Sequence, residues 1–154
     1  MPDWTKSVFP GGKFDQLRKL SFTHDTYSDE LKKLKAGPFI SEVITHYKDF
    51  ISPVKNTEIL KKMYLYSAHD ISLTRVMTSL GVYNNQPPPY TSILIFNLLD
   101  QNGLKVGITF RNNTSSIPYS LTLPGCDLFC PLDQFMEITR QLWTLNREQD
   151  CKIV

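Results

Sequence analysis

The spacing of apolar residues predicts mainly helices in the first part of the chain. In residues 38–51 apolar side chains recur at three- and four-residue steps, which places them on one helical face. These positions are Phe39, Ile40, Val43, Ile44, Tyr47, Phe50 and Ile51. Gly37 with Pro38 marks the predicted start of this helix, and Ser52 with Pro53 marks its end. Another helix is indicated upstream by apolar residues at the following positions: Phe14, Leu17 and Leu20.

From residue 63 the pattern changes to short apolar runs. The run at 63–68 predicts a buried strand, and "ISLTRVMTSLG" predicts a helix that ends at Gly81. "TSILIFNLL" and "LKVGITF" flank the turn signal "DQNG" and predict a hairpin. Pro131 opens a last helix, whose apolar side carries Leu132, Phe135, Ile138 and Leu142. This order of elements indicates a mixed α/β or α+β layer fold.

Composition and charge exclude several classes of protein. The chain has 154 residues, enough for one domain with a real core. Its 17 basic and 15 acidic side chains leave a net charge of +2, and no basic run alternates with aromatic residues, so nothing indicates nucleic-acid binding. No segment approaches the ~20 apolar residues of a spanning helix. The amino terminus has no apolar region of the signal-peptide type, which alone predicts a cytosolic protein.

The three cysteines favour an oxidising compartment instead. Cys126 and Cys130 lie in "LPGCDLFCPL", and this spacing in a turn suits a small disulfide loop. A zinc site is the weaker interpretation, because one further cysteine and no histidine follow. Cys151 has no obvious partner, which suggests pairing with a cysteine in another chain or in sequence that is missing here.

The dipeptide His-Asp occurs twice, in different contexts. His24 lies in a polar stretch and is interpreted as a surface or helix-end residue. His69 and Asp70 stand between the predicted strand and helix, where open α/β sheets place catalytic groups. An aspartic acid can protonate a leaving oxygen, a role worth roughly 100- to 10,000-fold, and an adjacent imidazole can stabilise the oxygens of a transferred group. In the structural alternative, Asp70 caps the helix and His69 fills a turn.

Two further motifs lie beside the predicted hairpin. "QPPPY", residues 86–90, matches a short WW-domain ligand, but a rigid extended lead into the following strand is the favoured interpretation. "RNNTSS" contains two overlapping glycosylation sequons, at Asn112 and Asn113, in a loop predicted to be exposed. These sequons gain meaning only if the protein is secreted.

Several of these motifs occur in the same order in a known family. "YSAHDISL", "LGVYN", "PPY", "FRNNT" and "LPGCDLFCPLDQF" resemble the carboxyl-terminal half of histidine acid phosphatases of the prostatic, lysosomal and insect venom types. The resemblance implies an α/β fold, the αβα sandwich of the phosphoglycerate-mutase-like histidine phosphatases. Residues 1–62 would be a mainly helical part of the cap domain, and residues 63–154 would belong to the α/β core. It also implies hydrolysis of phosphate monoesters through a phosphohistidine, with no metal or other cofactor.

The resemblance also implies roles for individual residues. Asp70 would donate a proton to the leaving group and later help to activate water, while His69 would bind the transferred phosphoryl group. Cys126 and Cys130 match the family's small disulfide loop, and Asn112 matches a glycosylated asparagine. The protein would be secreted or lysosomal, and a homodimer is consistent with the same resemblance.

One motif of that family is absent from the sequence. Its nucleophile lies in an Arg-His-Gly-x-Arg-x-Pro string, which occurs nowhere here, and the phosphate-clamping arginines are absent with it. The chain therefore resembles roughly the last half of such an enzyme, and Cys151 would pair with a cysteine of the amino-terminal half. We expect it to supply the proton donor and to be nearly inactive by itself. The alternative is a truncated, non-catalytic secreted binding protein of the same fold.

Overall fold

The described part of the chain combines four α-helices with a small antiparallel sheet. The computed structural model describes residues 2–9, 11–52, 61–144 and 150. The helices are α1 (Lys13–Thr23), α2 (Asp29–Ile51), α3 (Asp70–Ser79) and α4 (Leu132–Thr139), and short 3-10 helices span Asp3–Thr5, His24–Thr26 and Arg140–Leu142. The strands are β1 (Ile93–Asp100), β2 (Leu104–Arg111), β3 (Tyr119–Leu121) and β4 (Phe129–Pro131). The chain is an α/β protein, as predicted. No helix in these ranges is long and apolar enough to cross a bilayer.

Strand β2 lies at the centre of the sheet. β1 pairs with it along its full length, from Ile93 opposite Arg111 to Asp100 opposite Leu104, which confirms the predicted hairpin. β3 and β4 pair in succession with β2 as well, also antiparallel. The hairpin turn contains Asn102 with φ 54° and Gly103 with φ 116°. Asparagine and glycine tolerate this left-handed backbone better than other residues, which explains why the sequence "DQNG" predicts a turn here.

Apolar side chains of α2, α3 and α4 pack on one face of the sheet. The buried members of this core are Ala36, Ile40, Val43, Ile44, Tyr47, Val76, Leu80, Val106, Ile108, Leu123, Cys130, Leu132, Phe135 and Leu142. The apolar faces predicted for α2 and α4 therefore supply much of the core. In α1, by contrast, the apolar side chains of Phe14, Leu17 and Leu20 are each more than half exposed.

Helix α2 begins well before the predicted start at Pro38. Ser28 caps it, because its Oγ accepts a hydrogen bond from the Leu31 N–H at 3.2 Å. Gly37 is buried inside the helix, where a Cβ atom would lie 2.2 Å from the carbonyl oxygen of Leu142. The glycine thus permits a close approach of two backbones rather than ending a helix. Pro38 is accommodated inside α2 although it removes one backbone hydrogen bond.

The prediction of a buried strand at 63–68 is wrong for the described structure. Residues 63–69, the lead segment before α3, are exposed, and no described strand pairs with them. Tyr64 and Tyr66 contact α2, whereas Met63 and Leu65 between them are 81% and 89% exposed. This alternation is typical of an extended chain. An apolar run indicates that a segment can be buried, but burial requires neighbouring elements, and none among the described residues covers this side.

Candidate active site

His69 and Asp70 lie side by side at the amino terminus of α3. His69 is the N-cap residue, with extended backbone at φ −107° and ψ 161°, and its carbonyl oxygen accepts from the N–H groups of Ser72 and Leu73. Asp70 is the first helical residue, and its Oδ1 accepts from the Ile71 N–H at 2.7 Å. Asp70 thus satisfies one backbone N–H of the first helical turn. The N-cap position, which the structural alternative assigned to Asp70, is occupied by His69. Both residues are exposed.

This arrangement places two kinds of chemistry together. A carboxyl group can exchange a proton with a departing or attacking oxygen, and an imidazole can donate a hydrogen bond to a negatively charged oxygen. The backbone N–H groups and the dipole at the start of α3 favour an anion at the same place. The amino end of α3 therefore combines a carboxyl group suited to proton exchange with hydrogen-bond donors suited to an anion.

The lead segment is attached to α2 by a polar and aromatic cluster. Tyr66 Oη donates to Glu42 Oε1 at 2.9 Å and lies 2.8 Å from His46 Nε2, so this ring nitrogen acts as the donor to the phenol oxygen. The ring of His46 stacks on that of Tyr64 at 3.5 Å, and Phe39 contacts Tyr66 edge-on. Desolvation, followed by the hydrogen bond to Glu42, raises the pKa of Tyr66 to about 12, so the phenol stays a donor at ordinary pH. The cluster fixes the backbone that leads into His69 and Asp70.

Sequence reasoning missed this cluster, although a signal for it exists. Glu42 and His46 are four residues apart on α2 and therefore share a face. Tyr64 and Tyr66 are two residues apart and therefore share a side of an extended segment.

An ion pair holds α3 on its other side. Arg75 Nε lies 2.7 Å from Asp25 Oδ2, and the Asp25 side chain is only 12% exposed. The two residues are 50 positions apart in the sequence, so no local sequence pattern predicts the contact. The neighbouring His24 is exposed, with its Nδ1 2.9 Å from the Ser21 carbonyl oxygen, as its interpretation as a surface residue predicted.

The remaining predicted residues lie in the loops around the sheet. Cys126 and Cys130 form a disulfide, with their Cα atoms 5.3 Å apart. Asn112 follows β2, is partly buried, and accepts a hydrogen bond from Asn113 Nδ2 at 3.3 Å. Cys151 lies outside the described residues. Within the described ranges no three His, Cys, Asp or Glu side chains are grouped so that they could hold a metal ion.

The fold and the His-Asp pair define an α/β protein with a candidate anion-binding and proton-transfer site. The sequence profile of the histidine phosphatase superfamily (branch 2) matches residues 12–110, which extend from α1 through most of β2 and include the His-Asp pair. The chain belongs to this superfamily.

Known relatives agree with this membership. The chain is 33% identical over 154 residues to prostatic acid phosphatase of Mus musculus, covering 98% of this chain and 39% of the relative. It is 28% identical over 152 residues to venom acid phosphatase Acph-1 of Apis mellifera, with the same two coverages. It is 30% identical over 145 residues to lysosomal acid phosphatase of Rattus norvegicus, covering 90% of this chain and 33% of the relative. The chain thus spans well under half the length of these relatives.

Proposed function

We propose that this chain is part of a histidine acid phosphatase that hydrolyses phosphate monoesters, and that it supplies the proton donor. The observation that carries the proposal is the exposed His69–Asp70 pair at the start of α3, inside the region that matches the superfamily. The names of the mouse, honeybee and rat relatives support the reaction class. Because the Arg-His-Gly-x-Arg-x-Pro string is absent here, the nucleophilic histidine and the clamping arginines would come from sequence outside this chain.

The proposed reaction has two steps with balanced bonds. First, the nucleophilic imidazole forms a nitrogen–phosphorus bond while the ester oxygen–phosphorus bond breaks, and Asp70 transfers its carboxyl proton to the departing oxygen. Then the Asp70 carboxylate takes a proton from water, whose oxygen attacks phosphorus. The nitrogen–phosphorus bond breaks and inorganic phosphate leaves. His69 donates a hydrogen bond to a non-bridging oxygen throughout, and so stabilises charge on the transferred group.

The test is hydrolysis of phosphate monoesters at about pH 5, an acidic pH chosen because the relatives are named acid phosphatases. The chain is assayed by itself and after co-expression with the part of mouse prostatic acid phosphatase outside the aligned region. We expect activity only in the complex, and a loss of roughly 100- to 10,000-fold in Asp70→Asn. Asp133→Asn is the matched control, because Asp133 is also an exposed aspartate in the first turn of a helix.

The leaving group provides a sharper test of proton donation. Nitrophenolate departs readily without a proton, whereas an alkoxide does not, so Asp70→Asn should lose more activity with an alkyl phosphate than with nitrophenyl phosphate. Equal losses would argue against the donor role. Activity of the isolated chain that disappears in Asp70→Asn would mean that the nucleophile lies within these residues. A stable but inactive complex would favour the alternative, a non-catalytic secreted binding protein.

We also propose that the protein follows the secretory route to a lysosomal or extracellular destination and carries a glycan on Asn112. The position of Asn112 in the loop after β2 and the Cys126–Cys130 disulfide support this. Expression in a secreting eukaryotic cell followed by glycosidase treatment should reveal a mass shift. Asn112→Gln should abolish the shift, and Asn113→Gln, which removes the overlapping sequon, should retain it. The reverse pattern would assign the glycan to Asn113.

A further inference from the structure

His46 has no role in the proposed reaction, yet the structure gives it several well-defined contacts. It belongs to α2, and its side chain is only 19% exposed. Its Nε2 lies 2.8 Å from Tyr66 Oη and 3.6 Å from Glu42 Oε1. One face of the ring stacks on Tyr64, with the ring centroids 3.5 Å apart and the planes 9° from parallel. His46 therefore contacts both tyrosines by which the lead segment is attached to α2.

These contacts lie close to the candidate site along the chain. Tyr66 precedes His69 by three residues, which is roughly 10 Å of extended backbone. The His69 carbonyl oxygen is fixed at the other end, because it accepts from two N–H groups in the first turn of α3. Only residues 67 and 68 lie between these two anchored points. The position of the His69 backbone therefore depends on both anchors, and His46 holds one of them.

His69 and Asp70 depend on the lead segment to different degrees. His69 makes no side-chain capping hydrogen bond, so its ring is oriented through its backbone. The Asp70 carboxylate is instead bonded to its own helix, since Oδ1 accepts from the Ile71 N–H. That helix is held independently by the ion pair of Arg75 with Asp25. Loosening the lead segment should therefore displace His69 more than Asp70.

We propose that His46 is a positioning residue for His69, and not for Asp70, and that it acts through the two tyrosines of the lead segment. The inference rests on the proposed function, which gives His69 its contact with the phosphoryl oxygens. A hydrogen bond to a developing charge is sensitive to placement, and a misplacement of about 1 Å can cost up to roughly 100-fold in rate. His46 thus affects the reaction through His69 and does not itself touch the substrate.

Amide NMR spectra of the chain alone test the geometry. In His46→Ala the amide signals of residues 67–69 should move, whereas those of residues 73–79 in α3 should move no more than in the control. His24→Ala is the matched control, because His24 is an exposed histidine at a helix end. Tyr66→Phe removes only the hydroxyl that bonds to His46, and it should move the same signals. Unmoved signals at residues 67–69, or shifts of equal size along α3, would overturn the proposal.

A double-mutant cycle tests the route of the effect, in the complex with the part of mouse prostatic acid phosphatase outside the aligned region. His46→Ala should lower kcat/KM by about tenfold, to the same extent with alkyl and nitrophenyl phosphate. The same loss should appear in the Asp70→Asn background. It should shrink to within about twofold in the His69→Ala background, because changes that act on one route are not additive. A loss that persists in both backgrounds would show a purely structural role and overturn the proposal, as would a loss that vanishes only with Asp70→Asn.

The two experiments separate this inference from the proposed function. Displaced amides at residues 67–69 together with an inactive complex would keep the link between His46 and His69 and reject the phosphatase function. An active complex in which His46→Ala and His24→Ala behave alike would keep that function and overturn the role of His46.

Discussion

Replacing Gly37 with alanine tests how closely α2 packs against residues 142–144. A Cβ at this buried position would lie 2.2 Å from the Leu142 carbonyl oxygen and 2.9 Å from Thr144 Cγ2. At an open helical position the change would gain about 1 kcal/mol from helix propensity. Here overpacking opposes that gain and typically costs ~1–3 kcal/mol, with more when backbone must move. With the propensity gain subtracted, we expect the free energy of unfolding to fall by up to about 2 kcal/mol.

Thermal and urea unfolding followed by the fluorescence of the neighbouring Trp143 measure this change. For a chain of this size, each kcal/mol corresponds to roughly 2–4 °C in Tm. Pro38→Ala is the control on the next residue, where removal of a proline from a helix interior should raise stability, by up to about 3 kcal/mol. If Gly37→Ala raised Tm as an unhindered helical glycine would, the two backbones would not approach closely in solution and the reasoning would be refuted.

Three further changes test other contacts by urea unfolding. Asp25→Asn should lower the free energy of unfolding by about 1–3 kcal/mol, because Arg75 loses a mostly buried carboxylate. Tyr47→Phe should not destabilise at neutral pH, because the buried hydroxyl has no partner among the described residues. Burial raises the pKa of Tyr47 above its ordinary 10.0. The contribution of its protonated phenol to the free energy of unfolding is therefore complete below about pH 10 and is lost as the pH rises through the folded-state pKa. The variant should therefore lose less stability above about pH 10. Reducing the Cys126–Cys130 disulfide should cost about 2 kcal/mol, as expected for a short loop.

Matched variants make these three tests specific. Asp29→Asn removes an exposed carboxylate paired with Lys32 and should change stability by no more than about 0.5 kcal/mol. Tyr27→Phe changes an exposed tyrosine and should leave the alkaline profile as it is. Equal effects of Asp25→Asn and Asp29→Asn would contradict the ion-pair argument. If Tyr47→Phe lost as much stability at alkaline pH as the unmodified chain, the burial argument for Tyr47 would be contradicted. If reducing the Cys126–Cys130 disulfide left the free energy of unfolding unchanged, the disulfide argument would be contradicted.

Sequence patterns correctly predicted the elements that are determined by residues close together in the sequence. The end of α3 at Gly81 is an example: its φ is 72°, and the Val82 N–H donates to the Met77 carbonyl oxygen at 2.9 Å, which closes a Schellman motif. The β1–β2 hairpin is another, because Asn102 and Gly103 suit its turn. In these cases the residues that carry the signal also make the contacts.

Features that depend on distant residues could not be predicted in the same way. The sequence predicts a helix boundary at Gly37 and Pro38. In the structure Gly37 instead lets the α2 backbone approach the backbone of Leu142, which is more than a hundred residues away in the sequence. The lead segment read as a buried strand, but its burial depends on a neighbour that the described chain does not provide. For the candidate site, the sequence predicted His69 and Asp70 as site residues, but not the contacts that hold them.

Those contacts show how much of the candidate site is organised within this chain. The Glu42, His46 and Tyr66 cluster fixes the backbone before His69, and Arg75 with Asp25 fixes α3 behind Asp70. Neither set of contacts requires residues from outside the chain. Under the proposed function, the polypeptide that completes the enzyme would therefore meet a His-Asp pair that is already oriented, and would bring the nucleophile and the phosphate-binding charges. Because orientation is fixed beforehand, less conformational entropy would be lost when the partner binds.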